Sequence, residues 1–234
     1  MNAAESDVIR ELDKDSIRQN LRRFTWQAWH LVSAPPRPLI LDLGCGSASA
    51  AVELAVMSGG TVTAVDPDRT VLARLREKAA ALDLSARIRT AAAAVMRFRA
   101  RPASFDVVWS EGAAAAAGFE PALARWRAFL KPAGFMVIHD EIRDRSRKLA
   151  SLPGLGFEVV SHFVVPVDTW LTEYFRPLGE RLHALADKYA RRPDLLAVLR
   201  KEEAELEAFK AKPDDFASVF YVLRKGAPKQ IQEE

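Results

Sequence analysis

Four residues define the chemistry open to this chain: Asp42, Gly44, Gly46 and Asp66. In "LILDLGCGSA" an apolar run ends in an acid and turns through alternating glycines into a helical stretch. Glycines there let backbone approach a ligand closely and take positive φ. Asp66 closes the next apolar run, "TVTAVD", where a strand-end carboxylate can accept hydrogen bonds from two ribose hydroxyls. A glycine turn after the first strand and an acid after the second is the register of a nucleoside-bearing cofactor site. Each feature alone also suits a tight turn beside an incidental aspartate. Ser49 stands where the last glycine of a G-x-G-x-x-G dinucleotide fingerprint would be, which argues against NAD.

Reacting groups are expected beyond the carboxyl ends of the strands, where open α/β sheets bind their ligands. Glu111 follows "FDVVWS" and is the candidate to orient or deprotonate an acceptor; a helix-start acid is the plain alternative. His139 ends "FMVIH" and is a second candidate, although a lone strand-end histidine also serves structure. His139, Asp140, Glu141 and Asp144 are close in sequence, but neighbouring strand residues point to opposite faces. No metal site is expected. The run "SEGAAAAAGFE" follows Glu111 and leads into a helix. Its small side chains are expected to widen an acceptor pocket at Ala115 and Ala116; a tightly packed helical turn is the alternative, since alanine is the best helix former. Trp170 and Tyr174, four apart in "DTWLTEYF", share a helix face and are candidates to line the acceptor site or to fill a core.

These residues need a scaffold. Short apolar runs at 39–44, 61–66, 86–91, 105–110, 135–140, 157–166 and 217–225 read as strands. The early ones alternate with helical stretches "SAAVELAVMS", "RTVLARLREKAAAL" and "EPALARWRAFL". Runs apolar on successive residues suit strands covered on both faces, and strand–helix alternation implies a mostly parallel sheet. An amphipathic helix is predicted over 15–33, stopped by "APPRP". Residues 168–212, too long for a loop, are predicted as a helical cap inserted before the last strand, with Pro193 as a helix start. The polar end "GAPKQIQEE" is expected to fray.

Composition fits a single soluble domain over 1–234, with 1–37 as an N-terminal helical segment. Apolar residues make up 49% and charged residues 28%, which is ordinary for a globular protein able to bury a core. The 34 basic and 31 acidic residues nearly balance, with no basic stripe interleaved with aromatics, so nucleic acid is not implied. A single cysteine, Cys45, excludes an internal disulfide. The charged N-terminus lacks the apolar segment of a signal peptide, and no stretch is apolar enough to span a bilayer. A cytoplasmic protein without membrane contact is expected. The sequence does not disclose its oligomeric state.

"DLGCGSA" and "VTAVD", continued through "SFDVVWSEG", "FLKPAGFMVIHDE" and "SVFYVLRK", resemble class I S-adenosylmethionine-dependent methyltransferases. The resemblance covers roughly residues 15–225. It looks closest to bacterial small-molecule methyltransferases of the ubiquinone/menaquinone-biosynthesis type. It implies a Rossmann-like seven-stranded sheet with its last strand antiparallel, S-adenosyl-L-methionine as cofactor and a small-molecule acceptor. A non-catalytic protein that binds or senses the same cofactor is the alternative. By resemblance, Asp42 organises the methionine end, the Gly44–Cys45–Gly46 turn gives it room, Asp66 holds the ribose and Pro67 lies against adenine. Two positions depart from the pattern. Ala48 replaces the third glycine, and Ala92 replaces the acid that meets the adenine amino group, leaving backbone at Ala92 and Ala93 for that contact. Losing one neutral hydrogen bond costs on the order of 1 kcal/mol, too little to abolish binding.

Overall fold

In the computed structural model, residues 3–46 and 49–226 are described. The substitution at Ala48 and the frayed end expected after Gly226 lie outside them.

From Ala3 onward the N-terminal region is helical, but not as one rod. Helix α1 spans Ala3–Leu12, α2 spans Lys14–Arg18, a 3₁₀ turn covers Gln19–Leu21, and α3 spans Arg22–His30. Asp13, at φ 45, breaks α1 from α2 and caps α2 by accepting from the Ser16 amide. The predicted 15–33 helix is therefore divided, and Val8 and Leu12, both fully buried, anchor a helix that precedes it.

Alternation then proceeds as predicted: β1 (Leu39–Leu43), α4 (Ser49–Ser58), β2 (Thr61–Asp66), α5 (Arg69–Ala81), β3 (Ile88–Ala92), β4 (Phe105–Glu111), α6 (Ala113–Ala117), α7 (Phe119–Trp126) and β5 (Leu130–Glu141). After α8 (Arg145–Ser151) come β6 (Phe157–Val165), α9 (Val167–Trp170), a π turn at Leu171–Phe175, α10 (Arg176–Lys188), α11 (Pro193–Ala211) and β7 (Ser218–Lys225). The seven strands form one sheet in the order β3-β2-β1-β4-β5-β7-β6. Strands β1 to β5 pair in parallel, and β7 runs antiparallel to β5. This is the predicted Rossmann-like sheet. Strand β5 starts five residues earlier than its apolar run because it carries an irregularity: Ala133 sits at φ 54, and the register against β4 shifts after Phe105.

The chain divides into two compact units. The α/β unit holds residues 23–164 and the last strand; the helical unit holds the N-terminal segment to Arg22 and residues 165–217. In the α/β unit a core of Leu41, Leu43, Val108, Phe119, Trp126, Met136, Ile138 and Tyr221 fills one face of the sheet against α6 and α7. The helical unit has its own aromatic core, with Phe175 stacked on Phe209 at 4.0 Å and set edge-on to Tyr174 at 5.0 Å. Lys14 is tied there to Glu202 and Glu205 at 3.1 and 2.6 Å.

Candidate functional site

The turn after β1 is built by backbone. The amides of Gly44 and Cys45 both donate to the carbonyl of Val65 at the end of β2, at 2.8 and 3.2 Å, which folds the turn across the two strand ends. Gly44 lies at φ +79, and a Cβ added there would stand 2.5 Å from the Ala113 Cβ. The first residue of the alanine run thus packs on the glycine turn, and both positions must be small for that approach. Asp66 is nearly buried and braces the turn from below: its Oδ2 accepts from the Gly46 amide at 3.0 Å and its Oδ1 from the Asp68 amide at 2.9 Å. Each oxygen keeps acceptor capacity, since a carboxylate offers about four lone-pair sites. Exposed Pro67 and Ala92 and half-buried Ala93 flank this strand end, with the Ala93 amide donating to the Asp66 carbonyl at 3.1 Å. Asp42, the glycine turn, Asp66, Pro67, Ala92 and Ala93 therefore converge on one edge. The Cys45 thiol is buried and its pKa is driven up by burial, then by Asp42 and Asp66, so it lines the turn as an inert thiol.

Side chains alternate along a strand, and the register between β1, β4, β5 and β7 puts Asp42, Trp109, Glu111, His139 and Phe220 on one face. Asp42 is 1% exposed, and its Oδ2 has no hydrogen-bond partner among the described residues. A buried acceptor without a donor costs about 1–3 kcal/mol. Burial, then Glu111, then Asp66, push the Asp42 carboxyl well above the usual carboxylate range. Such an arrangement suits a ligand that brings a hydrogen-bond donor or positive charge, as the methionyl end of S-adenosylmethionine would. Because folded Asp42 holds its proton more tightly than the unfolded chain does, stability is fully present only below the unfolded value of about 4 and falls as pH rises through the folded pKa. Asp42→Asn is accordingly expected to raise the melting temperature at pH 7, by about 2–4 °C per kcal/mol recovered. It should also flatten the dependence of stability on pH, read by thermal melts from pH 4 to 8. A lower melting temperature at pH 7 would show that the charged carboxylate is stabilising.

Glu111 closes β4 beside His139 in register on β5. Its Oε1 accepts from Thr25 Oγ1 at 2.9 Å and from Trp109 Nε1 at 2.8 Å. His139 is nearly buried, with Nε2 2.7 Å from Ser218 Oγ and its ring stacked on Phe220 at 4.3 Å and 11°. Phe163 continues the stack beyond Phe220 at 5.1 Å. Thr25 and Trp109 are not among the site residues expected from the sequence. A polar residue on the buried stripe of α3 and an indole two residues before a strand-end acid were the available signals.

The opposite face carries a second cluster. Lys148 on α8 places its Nζ 2.6 Å from Asp140 Oδ2, and their side chains are 8% and 0% exposed. His139 and Asp140 thus diverge to different partners, and among the described residues no group of three His, Cys, Asp or Glu could hold a metal ion. Ala115 and Ala116 open on this side, lining a cavity of about 630 Å³ with Phe119, Asp140, Arg147 and Lys148. Helix α6 stands between the glycine turn, touched by Ala113, and that cavity. Trp170 and Tyr174 lie in the helical unit, edge-to-face at 5.7 Å, with the Tyr174 hydroxyl 3.2 Å from Glu205 Oε2. No helix among the described residues is long and apolar enough to cross a membrane.

Residues 40–134 match the family model described as a methyltransferase domain. That span runs from β1 into β5 and includes the glycine turn, Asp66 and Glu111. No curated protein matches the chain. Two solved structures described as S-adenosylmethionine-dependent methyltransferases in complex with S-adenosyl-L-homocysteine share the fold. One, from Geobacter sulfurreducens, is 17% identical with a TM-score of 0.70, covering 88% of this chain and 90% of the other. The second, from Thiobacillus denitrificans, is 17% identical with a TM-score of 0.69 and the same coverage. The cyclase SpnF is 19% identical with a TM-score of 0.72, covering 88% and 81%. These likenesses establish the methyltransferase fold.

Proposed function

We propose that the protein is an S-adenosylmethionine-dependent methyltransferase acting on a small organic acceptor, of the bacterial ubiquinone/menaquinone-biosynthesis type. The observation that carries this reading is the convergence of Asp42, the Gly44–Gly46 turn and Asp66 within a segment matched by a methyltransferase domain. Asp42 would meet the methionyl end, Asp66 the ribose, and Pro67, Ala92 and Ala93 the adenine. Two fold relatives are described with S-adenosyl-L-homocysteine bound. The cofactor supplies a methyl group already activated as a sulfonium. What is left to the protein is in-line orientation, worth roughly 7–11 kcal/mol, and removal of a proton where the acceptor has one. Glu111 is the group assigned to the acceptor, with His139 beside it. Ala115 and Ala116 line a cavity on the face opposite Glu111, and Trp170 and Tyr174 pack in the core of the helical unit, so none of the four is assigned to the Glu111 acceptor.

Calorimetry tests the cofactor reading: S-adenosylhomocysteine is expected to bind and NAD is not. Asp66→Ala should weaken S-adenosylhomocysteine binding by roughly 1–3 kcal/mol, because a carboxylate loses its hydroxyl partners. NAD binding without S-adenosylhomocysteine binding would overturn the reading, and an unchanged affinity in Asp66→Ala would remove Asp66 from the ribose. A non-catalytic binder of the same cofactor is the second reading, favoured by Ala92, exposed where an acid would meet adenine. A cyclase of this fold shows that the scaffold is not tied to methyl transfer. A screen of small amines, phenols and activated carbon acids for S-adenosylhomocysteine release separates the two.

A further inference from the structure

Glu111 is gripped by donors from two distant parts of the chain. The Thr25 hydroxyl on α3 and the Trp109 indole on β4 both donate to Oε1, at 2.9 and 2.8 Å. Thr25 is 5% exposed and Trp109 fully buried, so neither donor can exchange Glu111 for water without opening the core. Helix α3 also backs the indole, with Trp29 packed on Trp109 at 6.4 Å between ring centres. This helix lies outside the matched span 40–134; the domain alone does not account for the contact.

We propose that Thr25 and Trp109 are positioning residues that hold Glu111 as an oriented, ionised carboxylate beside Asp42. The inference rests on the assignment of Glu111 to the acceptor. Two neighbouring carboxylates compete for one proton, and hydrogen bonds to the charged form decide which one keeps its charge. Glu111 has two buried donors on one oxygen, whereas Asp42 Oδ2 has none among the described residues. The burden of the shared charge falls on Asp42, whose pKa Glu111 helps to raise. His139 on β5 stands in register with Glu111 and is held by Ser218, while Asp66 on β2 acts on Asp42. On α3 the side chains of Arg22, Arg23 and His30 are exposed. The arrangement divides labour between a proton-holding aspartate and a charged glutamate ready to take a proton.

The Trp109 indole N–H is a built-in reporter of this grip. In ¹H–¹⁵N spectra of the full chain, with the five tryptophans distinguished by Trp109→Phe, the Trp109 indole signal should titrate with Glu111, and Glu111→Gln should abolish that titration. Thr25→Val, nearly isosteric but without the donor, should raise the midpoint by about one to two pH units, since a lost bond to a charged group disfavours ionisation. Thr25→Ser should restore it, and Thr25→Ala serves if the valine variant does not fold. A midpoint unmoved by the loss of the hydroxyl, or a titration that survives Glu111→Gln, overturns the proposal. S-adenosylhomocysteine affinity, measured on the same samples, reports separately: its absence in the wild-type protein sinks the functional reading and leaves the midpoint comparison intact.

Discussion

Replacing Glu111 with glutamine is expected to lower turnover by roughly 10²–10⁴-fold while S-adenosylhomocysteine affinity stays within about threefold. Glutamine keeps the length of the side chain, and its amide oxygen can still accept from Thr25 and Trp109. What disappears is the charge and the capacity to take a proton. Removing that charge also removes the second cause of the raised Asp42 pKa, so Asp42 should ionise at lower pH in the variant. The charge lost at position 111 is thus offset at Asp42, which is why S-adenosylhomocysteine affinity is not expected to fall. The measurement is a pair of dissociation constants beside a kcat determined with any acceptor found by the screen. Collapsed affinity with preserved kcat would place Glu111 among the groups that hold the cofactor.

The strands that carry the site were legible because buried parallel strands are apolar on successive residues, and six of the seven begin within two residues of their predicted starts. Strand β5 began earlier than its apolar run because Pro132 and Gly134 mask the strand pattern around Ala133. The first helix was missed for the opposite reason. Its charged composition hides two fully buried anchors, Val8 and Leu12, that only tertiary packing singles out. In the site, the acids and glycines were readable because their register follows from strand ends. The donors that act on Glu111 were not: Thr25 reaches it across 86 positions of sequence, and no local pattern records such a distance. The alanine run was half legible. Its helix follows from propensity, but the requirement for a small residue at Ala113 comes from the backbone of Gly44.

Lys148→Met is expected to cost about 3–5 kcal/mol of stability, the penalty for breaking a buried ion pair by deleting one partner. At about 2–4 °C per kcal/mol for a chain of this size, the melting temperature should drop by at least 6 °C. The ammonium of Lys148 donates to Asp140 Oδ2 at 2.6 Å and to the Glu141 carbonyl at 2.9 Å, and it lies 5.4 Å from the centre of the Phe119 ring. Without it, Asp140 is left charged in a side chain with no exposure. Its Oδ1 already has no partner among the described residues, nor has the hydroxyl of Tyr221. Burial, and then Asp140, push that phenol up to about 12, so it stays protonated and gives no countercharge. Lys148→Met combined with Asp140→Leu should recover most of the loss, because an apolar pair of similar volume avoids the desolvation of both ions. The double-mutant cycle isolates the pair from the packing of the lysine stem. A double variant as unstable as the single one would mean that α8 is held by the stem and the Glu141 carbonyl, with the Asp140 charge contributing little.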